Sequence, residues 1–258
     1  MKRVVISQPF FFPWVGMFEQ IRLADVYVHY DDVQFSKGHF ANRVQYKTAA
    51  GSAWLTVPLK DLHLGQFIKA VQFDDRKDWR ARHLSQLAQA YDRAPFRDEM
   101  LALVRDVYSK PARGVCDVSV ESIHAVCRYF GFADPDNFLF SSQMGVPGSS
   151  TARVLEVVEK VGGDVYITGH GAKNYLDHEL FERRGVRVEY IDYQKVPYPQ
   201  LHGEFTPYVS ILDLIANCGR EGEKYVCSGT RHWRDFVAET APAMAGGVLP
   251  ASGETAGE

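Results

Sequence analysis

The first thirty residues commit the chain to a parallel sheet. Arg3-Val4-Val5-Ile6-Ser7 reads as a short buried strand, Val15 to Ala24 places Val15, Phe18, Ile21 and Leu23 on one face of a helix, and Asp25-Val26-Tyr27-Val28-His29 supplies a second strand. Two strands joined through a helix lie side by side in parallel, linked by a right-handed crossover. The alternation returns later: Asn137-Phe138-Leu139-Phe140 as a strand, Ser149 to Val161 as a helix, then Asp164 to Ile167 and Val186 to Tyr190 as strands. Between these halves, Val33 to Phe35 and Ala41 to Lys47 run out, Ala50-Gly51 turns, and Ala53 to Val57 returns, the pattern of a β-hairpin. Phe67 to Phe73 reads as one more strand. Asp78 to Tyr91, Phe96 to Tyr108 and Val118 to Phe130 read as helices with a break at Pro95, and Pro207 to Ala216 as a late helix. The expected fold is therefore α/β: a Rossmann-like, mostly parallel sheet with an inserted β-hairpin and a helical middle lobe over about 76–133, within one domain spanning 1–237. The stretch 238–258 is small-residue and Gly-rich, and we expect a disordered tail there.

Pro9 and Pro13 delay the first helix, so Gln8-Pro9-Phe10-Phe11-Phe12-Pro13-Trp14 is a shaped loop at a strand's carboxyl end. In an open α/β sheet, ligands bind at that position. The aromatics are either a hydrophobic plug or a binding surface. Gln8 needs a hydrogen-bond partner at the end of a buried strand, and a ligand is one candidate.

With 258 residues and 46% hydrophobic content, the chain can bury an enzyme-sized core. A net charge of −3 and a pI near 6.3 argue against a nucleic-acid partner, and the lack of an apolar run near ~20 residues argues against a membrane one. Without a signal-like start, the expected location is cytoplasmic, with reduced thiols. Cys116, Cys127, Cys218 and Cys227 show no C-x-x-C spacing and no close histidine, so no metal site is expected. No G-x-S-x-G, P-loop or G-x-G-x-x-G motif assigns a cofactor, which stays unknown.

Five polar clusters carry candidate chemistry. Tyr30-Asp31-Asp32 with Lys37 follows the second strand and suits an amine or a general base, or a plain turn. Asn42-Arg43 lies in a strand, where a guanidinium suits an anion or faces solvent. Ser149-Ser150-Thr151-Ala152-Arg153 opens a helix and suits a phosphate or ordinary capping. Thr168-Gly169-His170-Gly171-Ala172-Lys173-Asn174-Tyr175 combines close backbone approach with a titratable ring after a strand. Gln200-Leu201-His202 precedes the late helix, with Asp213 expected to be internal and hydrogen-bonded.

Taken in order over about Val4 to Tyr225, QPFFFPWVGMF, ADVYVHYDDVQFSKGHFANR, WLTVPL, TGHGAKNYLD and YPQLHGEFTPYVSILDLIANCG resemble the WbqC-like family. That resemblance implies association with surface-polysaccharide and natural-product pathways and modification of an amino sugar or amine. His170 stands where the family pattern leads one to expect proline, and Thr168 where it leads one to expect serine. A weaker similarity runs to nucleotidyltransferases with an S-S-T-x-x-R helix start, but the paired histidines of their first loop are missing. The reading is an enzyme forming an amide by acyl or aminoacyl transfer to an amine of an amino sugar or small metabolite, with an acyl donor or carrier protein as its further partner. The alternatives are an ATP-dependent ligase or nucleotidyltransferase-like enzyme, and a non-catalytic sugar-nucleotide-binding or scaffold protein. The candidate catalytic residues are Asp31, Asp32 and His170. The candidate binding residues are Gln8, Trp14, Lys37, Asn42, Arg43, Gly169, Lys173, Tyr175, Gln200 and His202.

Overall fold

A computed structural model describes residues 1–240. In chain order it contains β1 (Arg3–Ser7), α1 (Val15–Leu23), β2 (Val26–His29), the hairpin β3 (Arg43–Thr48) and β4 (Gly51–Thr56), and the short pair β5 (Leu59–Lys60) and β6 (Gln72–Phe73). Three helices follow, α2 (Trp79–Ala90), α3 (Arg97–Ser109) and α4 (Val115–Phe130). Then come β7 (Leu139–Phe140), α5 (Ser150–Lys160), β8 (Val165–Thr168), α6 (His178–Arg183), β9 (Arg187–Asp192), α7 (Ile211–Cys218), β10 (Gly229–His232) and α8 (Trp233–Glu239).

The main sheet has six strands in the order β10-β9-β8-β1-β2-β7. All pairs are parallel except β10 with β9. The chain builds outward from β1 to β2 and β7, then crosses back to lay β8 and β9 on the other side, so the order reverses beside β1. That reversal opens a crevice at the carboxyl ends of β1 and β8, where Rossmann-type sheets take ligands.

Strand periodicity divides the apolar residues between two faces. Val5, Tyr27 and Ile167 join one cluster with α1, the hairpin, α3, α4 and α7. Val4, Ile6, Val28, Tyr166 and Val188 join the other with α5, α6 and α8. The loop after β1 splits the same way by role. Phe11 and Phe12 are fully buried, and the backbone around them is pinned: Phe12 N–H donates to Ser122 Oγ of α4 at 2.9 Å, and Ser210 Oγ donates to the Phe12 carbonyl at 2.8 Å. Phe12 holds φ at +40°, a strain of about 1–2 kcal/mol for a non-glycine residue. Burying its ring contributes roughly 2–3 kcal/mol, so the plug outweighs the strain.

Several elements differ from the sequence expectation. The strand expected over Phe67 to Phe73 is a 3-10 turn, Ile68–Ala70, followed by the two-residue β6. Val33 to Phe35 stays outside the hairpin, meeting Phe67 in one isolated bridge at Gln34. The late helix starts at Ile211, where Ser210 caps Leu212 N–H, rather than at Pro207. Neither β10 nor α8 had a strong enough period to be read. Ala238 and Glu239, expected to open the tail, close α8, and the rest of that tail beyond Thr240 lies outside the described residues.

His29 on β2 and His124 on α4 meet Nε2 to Nε2 at 3.0 Å, among Tyr27, Phe138 and Phe140. One ring donates and the other accepts, which requires the acceptor to be neutral and forbids both from being charged. Burial, with the neighbouring His124, holds His29 down to about 3, and burial holds His124 down to about 4. Unfolded histidines titrate near ~6.5. Stability conferred by the neutral pair is therefore complete above that pH and is lost as pH falls toward 4, because the unfolded chain takes up protons that the folded rings refuse. We expect about 1.5 kcal/mol of lost stability per ring between pH 6.5 and 5. Denaturant unfolding of wild type and His124→Gln across that range checks it: the variant should show the shallower pH dependence.

Candidate functional site

The crevice beside β1 is an open cleft of about 990 Å³. Four strand ends and one helix start build it. β1 delivers Ser7 and Gln8, the segment after β2 delivers Tyr30 and Asp32, β8 leads into Gly169, His170 and Gly171, Tyr193 follows β9, and Gly148, Ser149 and Ser150 stand at the amino end of α5.

Of the candidate residues, Gln8, Trp14, Asp32, Gly169, His170 and Tyr175 line this one cleft. The others do not. Lys37 is exposed and is not among the residues that line it. Asn42 is buried and donates to the Val57 carbonyl at 2.9 Å, locking the base of the hairpin. Arg43 donates to the Gly38 carbonyl and lies 4.2 Å from the centre of the Trp54 ring. Lys173 bonds the Thr240 carbonyl and hydroxyl at the end of α8. Gln200 and His202 belong to a separate buried polar network. There, Gln200 Oε1 accepts from Lys47 Nζ at 2.8 Å, His202 bonds the Ala90 carbonyl, and Tyr91 donates to Asp213 at 2.9 Å.

The adjacent aspartates lie in the turn after β2 and have different partners. Asp31 is buried, and its carboxylate accepts from Ser142 N–H at 3.0 Å and from the Ser142 and Ser141 hydroxyls at 2.7 and 3.2 Å. Its lone pairs are committed to the turn after β7, which places it in the scaffold rather than in the cleft. Asp32 accepts from Ser141 Oγ at 2.5 Å and pairs with Arg153 at 2.6 Å. Burial pushes the Asp32 carboxyl up, but the Ser141 hydroxyl and the Arg153 guanidinium outweigh it and hold the group below the ordinary carboxylate value. An ionised, ion-paired carboxylate is a weak base. Asp32 instead braces Arg153, which also donates to the Val146 carbonyl at 3.0 Å and lies 4.9 Å from the centre of the Tyr30 ring.

Ser149 makes no side-chain cap on α5, and Ser150 adopts φ +55°. The expected hydroxyl cap is absent, so the serine hydroxyls and first-turn amides remain available beside the braced guanidinium. This arrangement suits an anion.

Across the cleft, His170 Nε2 lies 2.8 Å from the Ile191 carbonyl. A carbonyl only accepts, so Nε2 carries the proton and the neutral ring keeps its lone pair on Nδ1. The ring packs against Tyr193 and Phe236, at centroid distances of 4.8 and 4.7 Å. The Trp14 ring also packs on Tyr193, tilted at 51° with centroids 4.8 Å apart, and Gln20 donates to the Tyr193 hydroxyl at 2.7 Å. Gly16 makes room for this packing: a Cβ there would stand 2.4 Å from the Trp14 ring. Tyr193 and Gln20 were absent from the sequence candidates, and Tyr30 stood in a candidate cluster without a role of its own. Tyr193 had a findable signal, since it follows a strand's carboxyl end, but the strand was read as ending at Tyr190.

The profile of the WbqC-like protein family matches residues 8–225. The chain is 30% identical over 230 residues to the uncharacterized protein Rv1507c of Mycobacterium tuberculosis strain H37Rv, covering 88% of this chain and 98% of that one. No solved structure matches it. The chain belongs to the WbqC-like family.

Replacing Asp31 with Ala strands the Ser142 amide and hydroxyl donors in a turn, and we expect it to cost about 2–4 kcal/mol. Urea unfolding of Asp31→Ala measures this directly. Gly16→Ala should instead displace Trp14 from Tyr193, seen as altered tryptophan fluorescence in a folded protein.

Proposed function

We propose that this WbqC-like protein is an amide-forming transferase, passing an acyl or aminoacyl group to the amine of a phosphorylated or nucleotide-linked amino sugar or similar small metabolite. The observation that supports this most is the pairing, within one cleft, of an anion cradle at Ser149, Ser150 and Arg153 with an imidazole whose basic nitrogen is left free by its bond to Ile191.

Each part has a task. The cradle holds the substrate phosphate, Asp32 holds Arg153 in place, and Trp14 and Tyr193 offer two inclined aromatic faces to a sugar or base ring. His170 Nδ1 takes the proton that the amine must lose as it attacks the acyl carbonyl. The backbone of Gly169 to Gly171 lies beside His170 and supplies donors for the developing oxyanion. In this reading the base is His170 and neither aspartate. Because His170 stands where the family pattern leads one to expect proline, the role belongs to this chain and not to every relative.

Two outcomes would favour other readings. The reversal of strand order and the Ser149–Arg153 helix start also fit a nucleotide-activating enzyme, which would release pyrophosphate or phosphate from ATP. Binding of sugar nucleotides with no product under any donor would favour a scaffold.

His170→Asn should lower amide formation by about 100-fold or more while leaving the melting temperature unchanged. Mass spectrometry of product formed from an amino-sugar nucleotide and an acyl thioester reads this. Ser149→Asp places a carboxylate in the cradle. It should abolish the thermal stabilisation that UDP-glucosamine gives the wild type, and an undiminished shift would remove the cradle from substrate binding.

A further inference from the structure

The cleft has an apolar lip that the proposed chemistry leaves unused. Leu64 is 93% exposed, Phe67 50% and Phe40 46%. They come from two segments stitched together by Phe35 N–H to the Gln66 carbonyl at 2.8 Å and Ile68 N–H to the Val33 carbonyl at 2.9 Å. Phe35 and Ile68 are themselves buried, so the lip is presented from a fixed base. Phe67 and His39 also line the cleft, which puts the lip at its mouth.

The charge around the lip is opposite to that of the chain. Segments 36–43 and 64–70 carry Lys37, Arg43 and Lys69 and no carboxylate, whereas the whole chain is at −3. Neither lysine forms an ion pair among the described residues. Exposed apolar residues ringed by unpaired cations fit an acidic protein surface. A second copy of this lip would bring like charges together. RNA would make little use of Leu64, the most exposed of the three, which has no ring to stack on a base.

Resting on the amide-forming reading above, we propose that this lip docks an acidic carrier domain, which presents the acyl or aminoacyl group into the cleft as a thioester on a flexible arm. In the step, the carbonyl carbon–sulfur bond breaks and a carbon–nitrogen bond forms. The amine proton passes through His170 to the departing sulfur, giving amide and free thiol. The donor arrives already activated, so no further co-reactant is required. Tethering raises the local donor concentration at the mouth without any contact deeper in the cleft.

The test uses the full chain and a fluorescently labelled, phosphopantetheinylated acyl carrier protein of the acidic, free-standing type. Anisotropy should show saturable binding that weakens with salt, and the double variant Leu64→Ser, Lys69→Glu should weaken it about tenfold at an unchanged melting temperature. Absence of binding, equal binding by the variant, preferential binding of transfer RNA, or a lip-dependent dimer would each overturn the proposal. Turnover separates it from the reading beneath it. Amide formed equally well from a free pantetheine thioester and from the carrier leaves the transferase standing and removes the docking site. Lip-dependent carrier binding without amide product does the reverse.

Discussion

Everything in the cleft depends on two phenylalanine rings that never reach it. Phe11 and Phe12 are sunk between the parallel sheet and the helical lobe, and the serine hydroxyls of α4 and α7 hold the backbone between them. A loop leaving the end of a central strand would ordinarily be mobile. Here the burial of two large rings offsets the unfavourable backbone angle at Phe12 and turns the loop into a fixed wall. Gln8 on one side and Trp14 on the other are then delivered to the cleft at set positions, one before the plug and one after it.

The charged residues follow the same division of labour. Asp31 and Asp32 are adjacent in sequence, yet one satisfies the turn after β7 and the other holds an arginine at the start of α5. Both interactions join the segment after β2 to elements more than a hundred residues away. The first ties β2 to its neighbour β7, and the second ties β2 to the helix that crosses over to β8 on the other side of β1. The carboxylates that look most reactive in the sequence thus serve chiefly to hold geometry, and the unpaired nitrogen that remains belongs to a histidine fixed by a main-chain carbonyl.

The α/β class, the crossovers around β1 and the hairpin were legible because they rest on periodicity, which a single sequence carries in full. The convergence of Gln8 and His170 was legible as well, since both follow strands and strand ends gather on one edge of a parallel sheet. What escaped was whatever depended on direction. Nothing local says that Asn42 points inward to Val57, that Arg43 folds over Trp54, or that Gln200 answers to Lys47 instead of a ligand. Those choices are made by distant partners. β10 and α8 escaped for a different reason: each is short, and each is held by packing on a neighbour more than by any pattern of its own.

That last pair has a consequence for the order in which the protein becomes competent. Phe236 of α8 packs against both the His170 ring and Tyr190, and the end of the same helix receives Lys173 from the loop that carries His170. A chain emerging from the ribosome meets its own α5 and β8 long before it meets α8. Until α8 folds back, the imidazole has its hydrogen-bond acceptor and the Tyr193 ring but lacks Phe236. The Phe236 side of this packing is therefore synthesised only after β1, β8 and β9, which frame the cleft.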